Sequence, residues 1–177
     1  MRNIVYYVAM SLDGYIIGPN EDISGYVSEG SGLEKYLNDL KNFDTVIMGR
    51  NTYEYGFKFG IKPGLPAYEH MDHYIFSESA SYPNNHKQVH VVPLDISIVK
   101  RLKEGEGSDI YLCGGAVFAN WLLEHSLIDI LKLKLSPSIF GDGIRLFGER
   151  SKKVMLELVE EEKHDFGMLM LTYQLKY

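Results

Sequence analysis

The sequence has a single cysteine, Cys113. One thiol builds neither a disulfide framework nor a multi-thiolate zinc site within a chain, and such scarcity suits a reducing cytoplasm. No stretch approaches the roughly 20 apolar residues of a membrane span. The N-terminal run Ile4 to Met10 is too short and too rich in tyrosine for the core of a signal peptide. The six histidines form no His-Glu-x-x-His pattern. His70 and His73 could share a helical face, but the adjoining Tyr74-Ile75-Phe76 reads as a strand that they flank, so no metal is expected. The 18 Lys and Arg residues are scattered and outnumbered by 24 Asp and Glu, for a net charge of −6. That balance argues against nucleic acid, whose phosphates demand clustered positive charge. Also missing are the three-glycine dinucleotide fingerprint and the Gly-Lys-Ser/Thr ending of a P-loop. The expectation is a soluble cytoplasmic protein without nucleic-acid or membrane partners. Its 177 residues are read as one domain spanning 1–177, large enough to bury roughly 70% of the unfolded surface.

What is present centres on Asp109 to Leu123. Ile110 to Cys113 form a short apolar run of the kind found in strands buried on both faces. Ala116 to Glu124 reads as a helix, with either Val117, Trp121 and Leu122 or Phe118, Leu122 and Leu123 as the inward stripe. Gly114 and Gly115 lie between. Glycine lets a backbone approach a ligand, and the N–H groups and dipole of a helix start favour an anion such as a phosphate. The competing reading is a glycine turn that only reverses the chain.

A second strand-to-helix corner follows the same plan. Thr45 to Gly49 is a buried strand, and Tyr53-Glu54-Tyr55 begins a short helix after Arg50, Asn51 and Thr52. A guanidinium with hydroxyl and amide neighbours can hold a phosphate; a surface ion pair is the alternative for Arg50. Elsewhere, Ile4 to Met10 reads as a central strand. Ser11-Leu12-Asp13-Gly14 ends it, the Asp-Gly pair serving as a turn or as a ligand contact. Gly18 to Gly32 should be a long irregular loop of the sort that often serves as a lid. Leu33 to Phe43 has helical periodicity, with Ser31 as its candidate cap. Asp72 to Phe76 and Val89 to Val92 are short strands, and Ile96 to Lys103 is a helix. From Ile128 to Leu135, lysine alternates with leucine, which predicts a strand with one wet face. Lys153 to Glu162 and Phe166 to Tyr177 read as a closing hairpin. Alternating strands and helices imply a largely parallel sheet covered on both sides.

Val46-Ile47-Met48-Gly49-Arg50-Asn51-Thr52-Tyr53-Glu54 resembles the Val-Ile-Met-Gly-Arg-x-Thr-aromatic-Glu signature of the dihydrofolate reductase superfamily. Ser11 to Ile16, Cys113-Gly114-Gly115, Leu127-Ile128-Asp129 and Pro137-x-x-x-Gly141-x-Gly143-x-x-Leu146-Phe147 make the sequence more similar to the RibD C-terminal, riboflavin biosynthesis reductase, domain family. The resemblance implies a three-layer α/β fold, with a mostly parallel sheet of about eight strands and a C-terminal antiparallel hairpin. It also implies an NAD(P)H-dependent oxidoreductase, transferring hydride to a small heterocyclic or ribosylated substrate, as in 5-amino-6-(5-phosphoribosylamino)uracil reduction. The alternatives are a nucleotide-binding module of the same fold without catalysis, or a true dihydrofolate reductase.

Carried over by residue, Gly49, Arg50, Thr52 and Ser77 would meet the adenosine half of NADPH. Gly114, Gly115, Ala116, Val117 and Phe118 would hold the pyrophosphate, and Ala9, Ile16 and the Cys113 backbone would face the nicotinamide. Leu33 stands where dihydrofolate reductases place their pterin-binding carboxylate, and Leu133 where the hydroxyl partner of that carboxylate would be. Leu33 and Tyr53 are the expected substrate contacts. Asp13 is the expected catalytic or substrate-contacting group, with Glu34 and Tyr53 as further proton-donor candidates; Tyr15, Tyr36 and Trp121 are read as core or pocket wall. Glu78, where a hydroxyl often holds the 2′-phosphate, leaves NADH as an alternative cofactor. Relatives of this kind pair as homodimers, and that too is expected.

Overall fold

A computed structural model describes residues 1–177. The strands are β1 (Ile4–Ser11), β2 (Tyr15–Ile17), β3 (Thr45–Gly49), β4 (Asp72–Phe76), β5 (Val89–Val92), β6 (Ile110–Gly114), β7 (Ile130–Ser136), β8 (Ile144–Arg145), β9 (Met155–Lys163) and β10 (Leu169–Lys176). Four α-helices interleave with them: α1 (Ser31–Leu40), α2 (Arg50–Tyr55), α3 (Ile96–Glu104) and α4 (Ala116–Glu124). Eight strands form one sheet in the order β5-β4-β3-β6-β1-β7-β10-β9, and β2 pairs separately with β8. Pairing is parallel from β5 to β7. The last two strands run antiparallel. This is the expected three-layer, dihydrofolate reductase-like architecture. No helix is long and apolar enough to cross a membrane.

The sheet buries both faces because its central strands are apolar on both. Tyr6, Ile47, Leu112 and Leu131 point to the side of α3 and α4, where Val99, Phe118, Leu122 and Leu123 meet them. Tyr7, Met48, Tyr111 and Met170 point to the other side, under Leu40 of α1 and Tyr53 of α2. Burying each such side chain stabilises the fold by about 1.5–3 kcal/mol. In α4 the inward stripe is therefore Phe118, Leu122 and Leu123. Val117 is 83% exposed.

Three local expectations need correction. Ser31 is the first helical residue of α1 and not its cap, and the helix ends at Leu40. The carboxylate that accepts the Ser31 N–H belongs to Asp165, in the turn before β10 (2.9 Å). A distant segment thus supplies the acceptor that a helix start needs. The lysine face of β7 is not wet either: it lies under α1, with Lys132 paired to Asp39 at 2.6 Å and Lys134 against the ring of Tyr36. Period-2 alternation reports two different faces, and here a helix covers the polar one. Leu133 accordingly points away from α1, into the opposite core.

Polar side chains tie the strands together where they begin. Asp129 accepts the Ile4 N–H (2.7 Å) and pairs with buried Lys103. Arg2 is bound to Asp44, Thr45 and the Ser108 carbonyl. On the α1 face, fully buried His73 accepts N–H bonds from Ala67 and Tyr68 at Nε2 (3.0 and 3.1 Å), and its Nδ1–H donates to the Met71 carbonyl. The neutral ring therefore organises the 65–71 loop. Burial pushes its pKa from 6.5 down to about 4.

Between those two values the unfolded chain binds a proton at His73 that the native protein does not, so stability rises with pH across the window and is lost on acidification. The wild-type unfolding free energy from urea titrations should fall by up to about 3 kcal/mol from pH 6.5 to pH 4 through this group. His73→Gln should lower stability at neutral pH and flatten the slope. An unchanged slope in the variant would refute the assignment.

Candidate functional site

The two glycine corners are neighbours because β3 and β6 are adjacent and parallel, with Ile47 level with Leu112 and Met48 level with Gly114. Both strands end at the same rim, and each hands its chain to a helix. The corners also touch. A Cβ on Gly115 would lie 2.9 Å from the Thr52 hydroxyl, and one on Gly49 would lie 3.2 Å from the Phe118 Cβ. Gly114 has φ +129°, a conformation that L side chains rarely adopt. The Gly114–Gly115 peptide is cis. Glycine is thus required here for backbone shape and for the closeness of the two turns.

At the head of α4, the first intrahelical bond is donated by Ala119 to the Gly115 carbonyl (2.8 Å). The N–H groups of Ala116, Val117 and Phe118 precede it and face the rim, where the helix dipole is positive. Phe118 can reach a ligand only through its backbone, since its ring is buried against Phe76. At the other corner Arg50 is half exposed; it binds Glu54 at 2.8 Å and reaches the Ser79 hydroxyl at 3.2 Å. The Ser77 hydroxyl accepts the N–H groups of Ser79 and Ala80. Glu78 is occupied by the Leu94 N–H (2.8 Å), so its carboxylate is held toward the turn after β5.

The expected catalytic Asp13 is a structural acceptor. It accepts hydrogen bonds from the Ser11 hydroxyl at 2.7 Å and from the N–H groups of Phe140 and Gly141 at 3.1 and 2.8 Å. The Ser11 hydroxyl, foremost, together with those amides, holds its carboxyl down at about 2, so it has no proton to donate at neutral pH. Its work is to tie the turn after β1 to the 137–147 loop. In the same loop Gly143 lets the backbone pass against the Ile17 carbonyl, while Gly141 has open space around it and is set apart by its φ of +75°. Tyr53 is corrected as well: it is 1% exposed, and its hydroxyl donates to the Leu65 carbonyl (2.7 Å), which removes it from the substrate contacts. Glu34 is exposed on α1, whereas Leu33 is half buried, one turn before Tyr36.

The face of the sheet beneath α1 carries Ala9 of β1, Cys113 of β6 and Lys134 of β7 toward the rim. Ala9 and Lys134 are paired residues. Tyr36 reaches the Tyr111 hydroxyl at 2.9 Å, and the Tyr68 hydroxyl lies 3.9 Å from the Cys113 sulfur. Burial raises the Cys113 thiol, which keeps it protonated at neutral pH. The long loop crosses above this face. The Tyr55 hydroxyl donates to the Glu21 carbonyl and Lys58 pairs with the Glu21 side chain, while the Val27 N–H donates to the Ser136 hydroxyl (3.1 Å). Lys134 was not among the sequence candidates; its only signal is the Leu-Lys-Leu-Lys-Leu alternation. A cavity of about 250 Å³ lined by Tyr7, Asp39, Asp109 and Lys132 lies where the strands begin, away from both glycine corners. No cluster of three or more His, Cys, Asp or Glu residues could hold a metal ion.

Comparison with known proteins agrees with this architecture. The model of the RibD C-terminal domain matches residues 2–170. The Bacillus subtilis protein YwjB, described as uncharacterized, is 32% identical over 163 residues, covering 89% of each chain. A putative riboflavin biosynthesis protein from Shewanella sp. PV-4 superposes with a TM-score of 0.81 at 24% identity, over 100% of both chains. Dihydrofolate reductase from Enterococcus faecalis, solved with NADP(H), superposes with a TM-score of 0.63 at 17% identity, over 99% of this chain and 97% of that one. These two structures share the fold. By the extent of the family match, this chain belongs to the RibD C-terminal domain family, whose fold is that of the riboflavin-pathway and dihydrofolate reductases.

Proposed function

We propose that this protein is an NADPH-dependent oxidoreductase that reduces a small heterocyclic or ribosylated compound, akin to the riboflavin-pathway reductases. The observation that carries this reading is the contact between the 49–52 and 113–116 corners at one rim of the sheet. A dinucleotide has two phosphate-bearing halves, and two adjacent strand-to-helix turns offer a seat for each. The donor set has the right chemistry: unpaired amides at Ala116, Val117 and Phe118, and Arg50 with Thr52 and Ser77 at the second turn. When bound, the reduced cofactor supplies a hydride. The chain itself holds it through Gly49, Arg50, Thr52 and Ser77 on one side and Gly114 to Phe118 on the other. Ala9, Ile16 and the Cys113 backbone wall the reactive end, and the 18–30 loop limits water above it.

NADPH is favoured over NADH because Glu78 is bonded to the Leu94 N–H while Arg50 sits at Ser79. The rival reading, a nucleotide-binding module without chemistry, draws on the commitment of Asp13 and Tyr53 to structural bonds. Folate reduction is disfavoured by the apolar Leu33. A homodimer is supported by β9, an edge strand with Met155, Leu158 and Val159 exposed. Unpaired edges with apolar side chains invite partners.

Excitation of the protein should give energy transfer to bound NADPH, and substrate-dependent loss of NADPH absorbance should follow once a substrate is found. Arg50→Ala should weaken NADPH binding by roughly tenfold to a hundredfold while sparing NADH, since the lost bonds are charge-assisted; equal loss for both cofactors would show that Arg50 does not read the 2′-phosphate. Gly114→Ala should cost about 1–3 kcal/mol in urea unfolding, the strain of a non-glycine residue at φ +129°. In light-scattering measurements the chain should run at twice its 20.2 kDa mass, and Val159→Lys should shift it to the monomer; a wild-type monomer would remove the homodimer from the proposal.

A further inference from the structure

The charge that faces the reactive end of the groove is a cation. Lys134 lies on the same face as Cys113, Tyr36 and Ala9, near the end of β7. Two strand spacings separate its backbone from the glycine corner of β6, roughly 10 Å. Ala9 is the residue between them, and its methyl group leaves that space open. The Lys134 ammonium sits 3.3 Å from the centre of the Tyr36 ring. That contact stabilises a cation without giving it a hydrogen-bond acceptor atom. The structure gives those donors no hydrogen-bond partner and no ion pair, unlike Lys132 two residues earlier, which is bonded to Asp39 at 2.6 Å. The ammonium is not sealed off, so an acceptor that enters beside the Tyr36 ring can take those donors in place of water.

We propose that Lys134 is the specificity-determining residue of this site and that the substrate is a planar ring presenting an anionic oxygen, such as a carboxylate or an ionised ring carbonyl. This deepens the reductase reading and rests on it. The ammonium is a compact point charge that pairs with such an oxygen, while Tyr36 and Tyr68 provide the flat walls. Burial pushes the Lys134 pKa from 10.5 down to about 8, so the group is still mostly charged at pH 7 and holds its proton less firmly than a surface lysine.

Benzoate and benzamidine are planar probes of similar size and opposite charge. In NMR titrations of the full-length chain at pH 7, benzoate should shift the amides of Cys113, Gly114 and Lys134 and bind at least tenfold more tightly than benzamidine. Lys134→Met should abolish that preference, and Lys134→Arg should keep it. Equal binding of the two probes, binding of neither, or an undiminished preference for benzoate in Lys134→Met overturns the proposal. The wild-type and Lys134→Arg comparisons decide the matter even if the methionine variant fails to fold. Energy transfer to NADPH on the same samples separates the two readings. NADPH binding without a charge preference removes the role of Lys134 alone, and a charge preference without NADPH binding removes the cofactor assignment.

Discussion

The organisation of this protein depends on the close approach of two backbone corners, which is possible only because side chains are missing there. Parallel pairing of β3 with β6 sets Met48 level with Gly114, so that Gly49 and Gly115 follow side by side at the rim. From that point, the Thr52 hydroxyl fills the space beside Gly115, and the Phe118 side chain packs against Gly49. A Cβ on Gly115 would force Thr52 to shift, and one on Gly49 would crowd Phe118 by a few tenths of an ångström. The closeness of the turns brings the start of α2 next to the unpaired N–H groups of Ala116, Val117 and Phe118 at the start of α4.

Charged groups divide by position along the strands. Where the strands begin, Arg2, Asp44, Lys103 and Asp129 are matched to one another and to backbone groups. Where they end, the Lys134 donors on the α1 face and the first amides of α4 at the rim have no protein partner. Matched groups hold the sheet together, whereas unmatched ones remain available to a ligand. Asp13 belongs with the first kind despite standing at the rim where the strands end, since it fastens the first turn to the 140–141 amides. His73 acts similarly at one remove: its neutral ring organises the loop that brings Tyr68 toward Cys113.

Much of the fold was legible in the sequence because local pattern and tertiary structure agree. Ala116 to Glu124 is helical as expected, Ile110 to Gly114 is a strand, and the closing hairpin is antiparallel. The glycine corners were legible too, since a glycine pair between a buried strand and an amphipathic helix has few uses. Polar residues were harder to place. An Asp-Gly turn looks the same whether its carboxylate faces a substrate or a loop 127 residues away, and only the acceptor geometry of Asp13 separates the two. Tyr53 follows the signature motif, but its hydroxyl is spent on the Leu65 carbonyl.

By itself the sequence determined the alternation of strands and helices and the positions of the turns, because these follow from residue periodicity and from glycine's conformational freedom, and its motifs, the Val46 to Glu54 stretch foremost, carried the resemblance to the family. Only the tertiary structure decided which polar groups are spent and which are free. Lysine alternating with leucine reads as a strand with a solvated face until α1 is laid over it. That packing turns Lys132 into an ion-pair partner and leaves Lys134 unmatched beside an aromatic ring. The physical reason is that a charged side chain's role is set by its surroundings in space, and those surroundings come from segments far away in the chain.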